Sequence, residues 1–228
     1  MFEFLLIDMD DTVLDFKKAE YVAIRKTLQD AGLDPTDGVC ARYSQINDGY
    51  WKRLERKEVT RRQLQVGRFA DLFAELGVEA DGEACADAYM RNLGIGHYFM
   101  PGAEEALQAL SQKYKLYLAS NGNTDTQKSR IASAGIEKYF EAIFISGEVG
   151  VNKPDKGFFD YCFAKMEGFD PQKALVVGDS LSSDILGGKN ADIATCWVNP
   201  GHKVAPPELQ PDYQIESLSQ LEALLETL

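Results

Sequence analysis

The sequence predicts an α/β fold: a doubly wound parallel sheet with a helical domain inserted after its first strand. Three observations carry that prediction. Short apolar runs alternate with helix-period segments beyond Pro101, the signature of successive βαβ units. Residues 17 to about 95 read instead as one helix after another, with no convincing strand. The apolar run Phe4-Leu5-Leu6-Ile7 breaks at once into Asp8-Met9-Asp10-Asp11-Thr12. Open α/β sheets bind their ligands outside such carboxyl strand ends.

The elements are taken in chain order. Phe4–Ile7 is a buried parallel strand, because it is apolar throughout rather than alternating. Lys17–Ala31 carries Ala19, Val22, Ala23 and Leu28 at helical spacing and stops at Gly32. Tyr43, Asn47, Tyr50 and Trp51 fit one face of a second helix. Thr60–Leu76 places Leu64, Phe69, Leu72, Phe73 and Leu76 on a stripe ending at Gly77, and Glu83–Leu93 closes at Gly94-Ile95-Gly96. A helix near Gly102–Gln112 then precedes a strand at Lys115–Ser120, and a helix near Thr124–Ala134 precedes a strand at Ala142–Ser146. Helices near Lys156–Lys165 and Ser183–Ala191 flank a strand at Ala174–Gly178. Ala194–Val198, the Pro-rich loop Asn199–Pro211, Asp212–Glu216 and a terminal helix complete the chain. The expected division is a core of residues 1–15 and 97–228, with residues 16–96 as the insertion.

Composition narrows the function. At 228 residues, 45% hydrophobic and 26% charged, the chain has ordinary globular character. Its 24 basic and 36 acidic residues give a formal net charge of -12, which repels nucleic-acid polymers and anionic membranes. Cys40, Cys85, Cys162 and Cys196 form no CxxC pair, which fits a reducing cytoplasm better than a zinc site or a disulfide framework. No basic, apolar leader is evident at residues 1–14, and no apolar stretch approaches the roughly 18–20 residues of a membrane span.

Polar residues fall where the strands end. Asp8 and Asp10 come directly after the first. Ser120-Asn121-Gly122 ends the second, offering a hydroxyl and free amides before a helix N-terminus, although Ser-Asn-Gly alone is equally a turn. Lys153 precedes Pro154 after the third, where a surface lysine is the plainer alternative. Gly178-Asp179-Ser180 closes the fourth, with Asp184 five residues beyond Asp179; singly, these are a turn residue and a helix N-terminal acid. Parallel topology brings all four ends to one edge. Four acids, a hydroxyl and a lysine around one crevice suit Mg²⁺ and a phosphoryl group, with one aspartate as nucleophile and another as proton donor.

This ordered set resembles the haloacid dehalogenase superfamily of phosphohydrolases across essentially the whole chain. Asp8-Met9-Asp10-Asp11-Thr12-Val13 resembles the first motif, with Asp11 where the family usually has glycine; Ser120 resembles the second, Lys153 the third, and Asp179 with Asp184 the fourth. The resemblance implies a Rossmann-like core, with Asp8 as the nucleophile forming an aspartyl-phosphate and Asp10 as general acid/base. It also implies phosphate binding by Ser120, Asn121 and Lys153. Mg²⁺ would be held by Asp8, the Asp10 main-chain carbonyl, Asp179 and Asp184, the last directly or through water.

The helical insertion resembles the family's α-helical cap, which closes over the site and supplies most substrate contacts. Within the superfamily the segments Ile46-Asn47-Asp48-Gly49-Tyr50-Trp51 and Arg68-Phe69, with the core motifs, resemble bacterial pyrimidine 5'-nucleotidases acting on noncanonical nucleotides. Asn47, Trp51 and Arg68 are the candidate substrate residues of the insertion, though an aromatic stripe at that spacing also reads as core packing. The expectation is a cytoplasmic, Mg²⁺-dependent phosphomonoesterase, monomer or dimer, acting on a small phosphorylated metabolite, with nucleoside monophosphates the leading class. Sugar phosphates, phosphoglycolate and a non-catalytic regulatory role are the alternatives.

Overall fold

A computed structural model describes residues 1–228. The chain divides into two compact units, Met1–Asp15 with His97–Leu228, and Phe16–Gly96.

The first unit is built on six parallel strands: β1 (Phe4–Ile7), β2 (Lys115–Ser120), β3 (Ala142–Ile145), β4 (Ala174–Gly178), β5 (Ala194–Val198) and β6 (Tyr213–Ile215). Their spatial order is β3-β2-β1-β4-β5-β6. β1 is central, with Leu5 opposite Leu116 on one side and Leu175 on the other. All four of its residues are buried, because side chains alternate between two covered faces. Leu5 and Ile7 enter one apolar cluster with Leu107, Leu110 and Ile131; Phe4 and Leu6 enter another with Phe158, Phe159 and Cys162. The chain order reverses across β1 and β4, so the topological switch point lies at their carboxyl ends.

The second unit is wholly helical: α1 (Phe16–Asp30), α2 (Asp37–Glu55), α3 (Arg61–Leu76) and α4 (Gly82–Leu93). Local signals set its boundaries. Thr60 and Gln63 form a capping box at the start of α3, and Gly77 ends it in the left-handed conformation at φ 65°. Tyr43, Phe69 and Tyr89 pack ring against ring, with centroids 5.2–5.8 Å apart.

The sheet unit's helices are α5 (Ala103–Leu110), α6 (Thr124–Ala134), α7 (Ser146–Val149), α8 (Lys156–Phe163), α9 (Leu186–Asn190) and α10 (Leu221–Leu225). One element departs from its prediction. The helix expected over Ser183–Ala191 is a π-helical turn, Leu181–Ile185, running into the short α9. All four cysteines are free and buried. No helix is long and apolar enough to cross a membrane.

Candidate active site

The end of β1 makes the first part of the site. The Asp8 N–H donates to Val177 O at 2.9 Å, so the sheet ladder runs up to this residue and holds its carboxylate at the switch point. The chain then turns sharply: Val13 and Leu14 N–H groups donate back to Met9 O, and Asp11 stands at φ 57°. That left-handed conformation favours glycine, and aspartate is among the few side chains that tolerate it.

Lys153 is the centre of the charge arrangement. It is fully buried, and its ammonium donates to Asp8 Oδ1 at 2.7 Å, Asp184 Oδ1 at 2.6 Å and Ala119 O at 2.5 Å. Asn121 fixes its backbone in both directions. The Lys153 N–H donates to Asn121 Oδ1 and Asn121 Nδ2 donates to Lys153 O, each at 2.9 Å. The turn after β2 thereby aims a lysine carried by another segment.

Asp184 owes its place to the π-helical turn, a local irregularity that often marks functional sites. Its Oδ2 accepts from the Ser180 N–H at 3.1 Å. A Cβ on Gly178 would collide with that same oxygen, so only glycine fits at the end of β4. Asp179 lies alongside, its main-chain carbonyl accepting from Trp197 Nε1 at 2.7 Å. Oxygens of Asp8, Asp179 and Asp184 all lie within 4.8 Å of one another.

The electrostatics are unbalanced. Burial works against the Lys153 ammonium, but Asp184 and Asp8 overcome it and hold the group above its ordinary value. One ammonium cannot offset three carboxylates. Burial, with the neighbouring charges of Asp184, Asp179 and Asp10, pushes the Asp8 carboxyl well up against the pull of Lys153. Asp179 is pushed up to about 8 by burial, Asp184 and Asp11. The excess of two negative charges is what a divalent cation would offset, and an all-oxygen donor set suits a hard one.

Asp10 faces a different way. One of its oxygens accepts from Arg130 Nη1 and the other from Gln127 Nε2, the latter at 2.8 Å. Ser120, fully buried, accepts on its hydroxyl from the same Gln127 Nε2, also at 2.8 Å. Sequence reasoning does not single out Gln127 or Arg130. Their signal is a spacing of three on α6, the helix that starts just past Ser120-Asn121-Gly122, so that both reach back over the strand end.

Two of the three candidate residues of the helical unit, Asn47 and Arg68, share one hydrogen-bonded cluster. Asn47 and Arg68 are buried; Trp51 is half-buried. Asn47 Nδ2 donates to Glu20 at 2.7 Å, and Arg68 Nη1 donates to Asn47 Oδ1 at 2.7 Å. Ser44 donates to the other Glu20 oxygen at 2.5 Å, and the Arg68 guanidinium lies 4.4 Å from the Tyr89 ring centroid. Burial raises the Glu20 carboxyl above its ordinary value, against the hydrogen bonds from Ser44 and Asn47. Of the aromatic stripe, Tyr43 is core, and the Tyr50 hydroxyl donates to Asp71 at 3.0 Å.

Known proteins share this arrangement of fold and sequence. A family model described as haloacid dehalogenase-like hydrolase matches residues 3–192. The pyrimidine 5'-nucleotidase PynA of Streptococcus pneumoniae is 38% identical over 96% of this chain and 93% of its own length. The pyrimidine 5'-nucleotidase YjjG of Escherichia coli is 32% identical over 98% of this chain and 97% of its own. Among solved structures, the magnesium-bound putative HAD-hydrolase YfnB of Bacillus subtilis superposes with a TM-score of 0.94 at 38% identity, over 98% of both chains.

Proposed function

Because the chain belongs to the haloacid dehalogenase-like hydrolases, we propose that it is a Mg²⁺-dependent phosphomonoesterase acting on pyrimidine nucleoside 5'-monophosphates. The observation that carries this reading is the group of buried Asp8 and Asp184 and half-buried Asp179 against Lys153 at the switch point of the sheet. The two nucleotidase relatives support the substrate class.

The residues divide the work. The Asp8 carboxylate attacks phosphorus, the ester P–O bond breaks, and the leaving oxygen takes a proton from the Asp10 carboxyl. The Asp10 carboxylate then removes a proton from water as its oxygen attacks the aspartyl-phosphate. The bond to Asp8 breaks and inorganic phosphate leaves. The Lys153 ammonium and Ser120 hydroxyl hold phosphoryl oxygens in place, and Asn121 keeps Lys153 from drifting. Asp8, Asp179 and Asp184, with the Asp10 main-chain carbonyl, would hold Mg²⁺, which when bound offsets the charge of the phosphoryl oxygens.

The test is turnover by purified protein. With Mg²⁺, dUMP, dTMP and UMP should be hydrolysed faster than hexose phosphates or phosphoglycolate, and Asp8→Asn should lose at least ~10³-fold, as removal of a covalent nucleophile does. Equal rates across the panel would remove the nucleotidase reading. Robust turnover by Asp8→Asn would remove the nucleophile.

A further inference from the structure

Arg130 is a guanidinium with no exposure at all, carried on a helix whose neighbouring apolar residue, Ile131, already supplies packing. Burying such a group is unfavourable, so its position calls for a reason beyond filling space. It reaches across 120 residues of sequence to Asp10. The same Nη1 also donates to Gln127 Oε1 at 3.3 Å, which orients the Gln127 amide so that its Nε2 points the other way, at Asp10 Oδ2 and Ser120 Oγ. Both carboxylate oxygens of Asp10 are therefore held, and one amide group ties the proton donor to the phosphate-binding hydroxyl.

The surroundings are shaped for this arrangement. Asn123 caps α6, its Oδ1 accepting from the Thr126 N–H at 3.1 Å, so the helix begins directly over the strand end. A Cβ on Gly122 would stand 2.5 Å from Gln127 Cγ, so the absent side chain is the space that Gln127 occupies.

From this geometry we propose that Arg130, acting with Gln127, is a positioning residue for Asp10. It holds the carboxyl that protonates the leaving oxygen in register with Ser120. The inference rests on the phosphoryl-transfer reading above. It does not depend on the nucleotide preference.

Leaving-group chemistry tests it. 4-Nitrophenyl phosphate expels an oxygen that needs no proton, whereas phenyl phosphate expels one that does. Wild-type protein with Mg²⁺ should hydrolyse both. In Arg130→Met, kcat/KM for phenyl phosphate should fall by ~10²-fold, a typical share for general acid catalysis, and that for 4-nitrophenyl phosphate by less than about fivefold. The variant should also release a burst of 4-nitrophenolate equal to the enzyme present, because water attack on the aspartyl-phosphate needs Asp10 as base. Gln127→Met, which leaves the buried charge paired, should show the same selectivity in milder form, and it carries the test should Arg130→Met not fold. Guanidinium ion should restore part of the phenyl phosphate rate to Arg130→Ala. Equal losses on both substrates with no burst would make Arg130 a purely structural residue and overturn the inference. Failure of the wild type on both substrates would instead overturn the phosphatase reading.

Discussion

Each unit of this protein buries charge, and the two do so with opposite balance. In the helical unit, Glu20 and Arg68 are joined through Asn47, one acid to one base. In charge, that cluster is complete. At the strand ends of the sheet unit, Asp8, Asp179 and Asp184 face the single ammonium of Lys153, and burial together with the neighbouring aspartates drives Asp8 and Asp179 upward. A balanced cluster needs no further charge, whereas an unbalanced one favours a cation from solution, and strongly shifted acids of that kind are commonest at functional sites.

The most severe way to break that contrast is Lys153→Met. Buried Asp8 and Asp184, with half-buried Asp179, would lose their only ammonium, and removing one partner from such a group costs about 3–5 kcal/mol. Denaturant unfolding in EDTA should show that loss, and Mg²⁺ should recover part of it; an unchanged midpoint would mean the carboxylates do not repel one another appreciably. A smaller effect is expected from metal alone. Because Asp179 is pushed up to about 8, the folded metal-free protein keeps a proton that the unfolded chain has already released. Stability without metal therefore falls as pH rises from about 4 toward 8. Mg²⁺ displaces that proton, so the rise in Tm on adding it should be larger at pH 8 than at pH 6. At a hundredfold excess over Kd the stabilisation is about 2.7 kcal/mol. An identical rise at both pH values would contradict the charge excess. The smallest effect belongs to the helical unit: Glu20→Gln should cost about 1–2 kcal/mol, because burial already opposes the charge it removes. That cost should be the same with and without Mg²⁺ in thermal unfolding, and a metal-dependent cost would join the two clusters.

The sheet is legible in the sequence because buried parallel strands leave an unbroken apolar run, and the run in β1 points straight at the aspartates beyond it. The strand-end positions of Asp8, Ser120, Asp179 and the approach of Lys153 come from the same rule. The π-helical turn does not. Its geometry is set by Asp184 reaching the Ser180 N–H over a residue with no side chain, a tertiary event that helical periodicity cannot encode. Arg130 and Gln127 are missed for a related reason. A charged residue on a helix ordinarily reads as solvated, and only its partner 120 positions away reverses that. Asn47 and Arg68 are visible as polar residues on helices, but the sequence does not say that they hydrogen-bond to each other.

β1 has only four residues, and its neighbours on either side, β2 and β4, begin at Lys115 and Ala174. The strand leading to the candidate nucleophile therefore pairs only with segments far along the chain, from Lys115 onward on one side and from Ala174 onward on the other. Asp8 waits 145 residues for its lysine. Such long-range closure makes for slow folding and leaves the apolar strand unprotected meanwhile. The same arrangement means that a truncated or half-made chain holds the acid without the groups that make it reactive, so catalytic competence arrives only with the completed sheet.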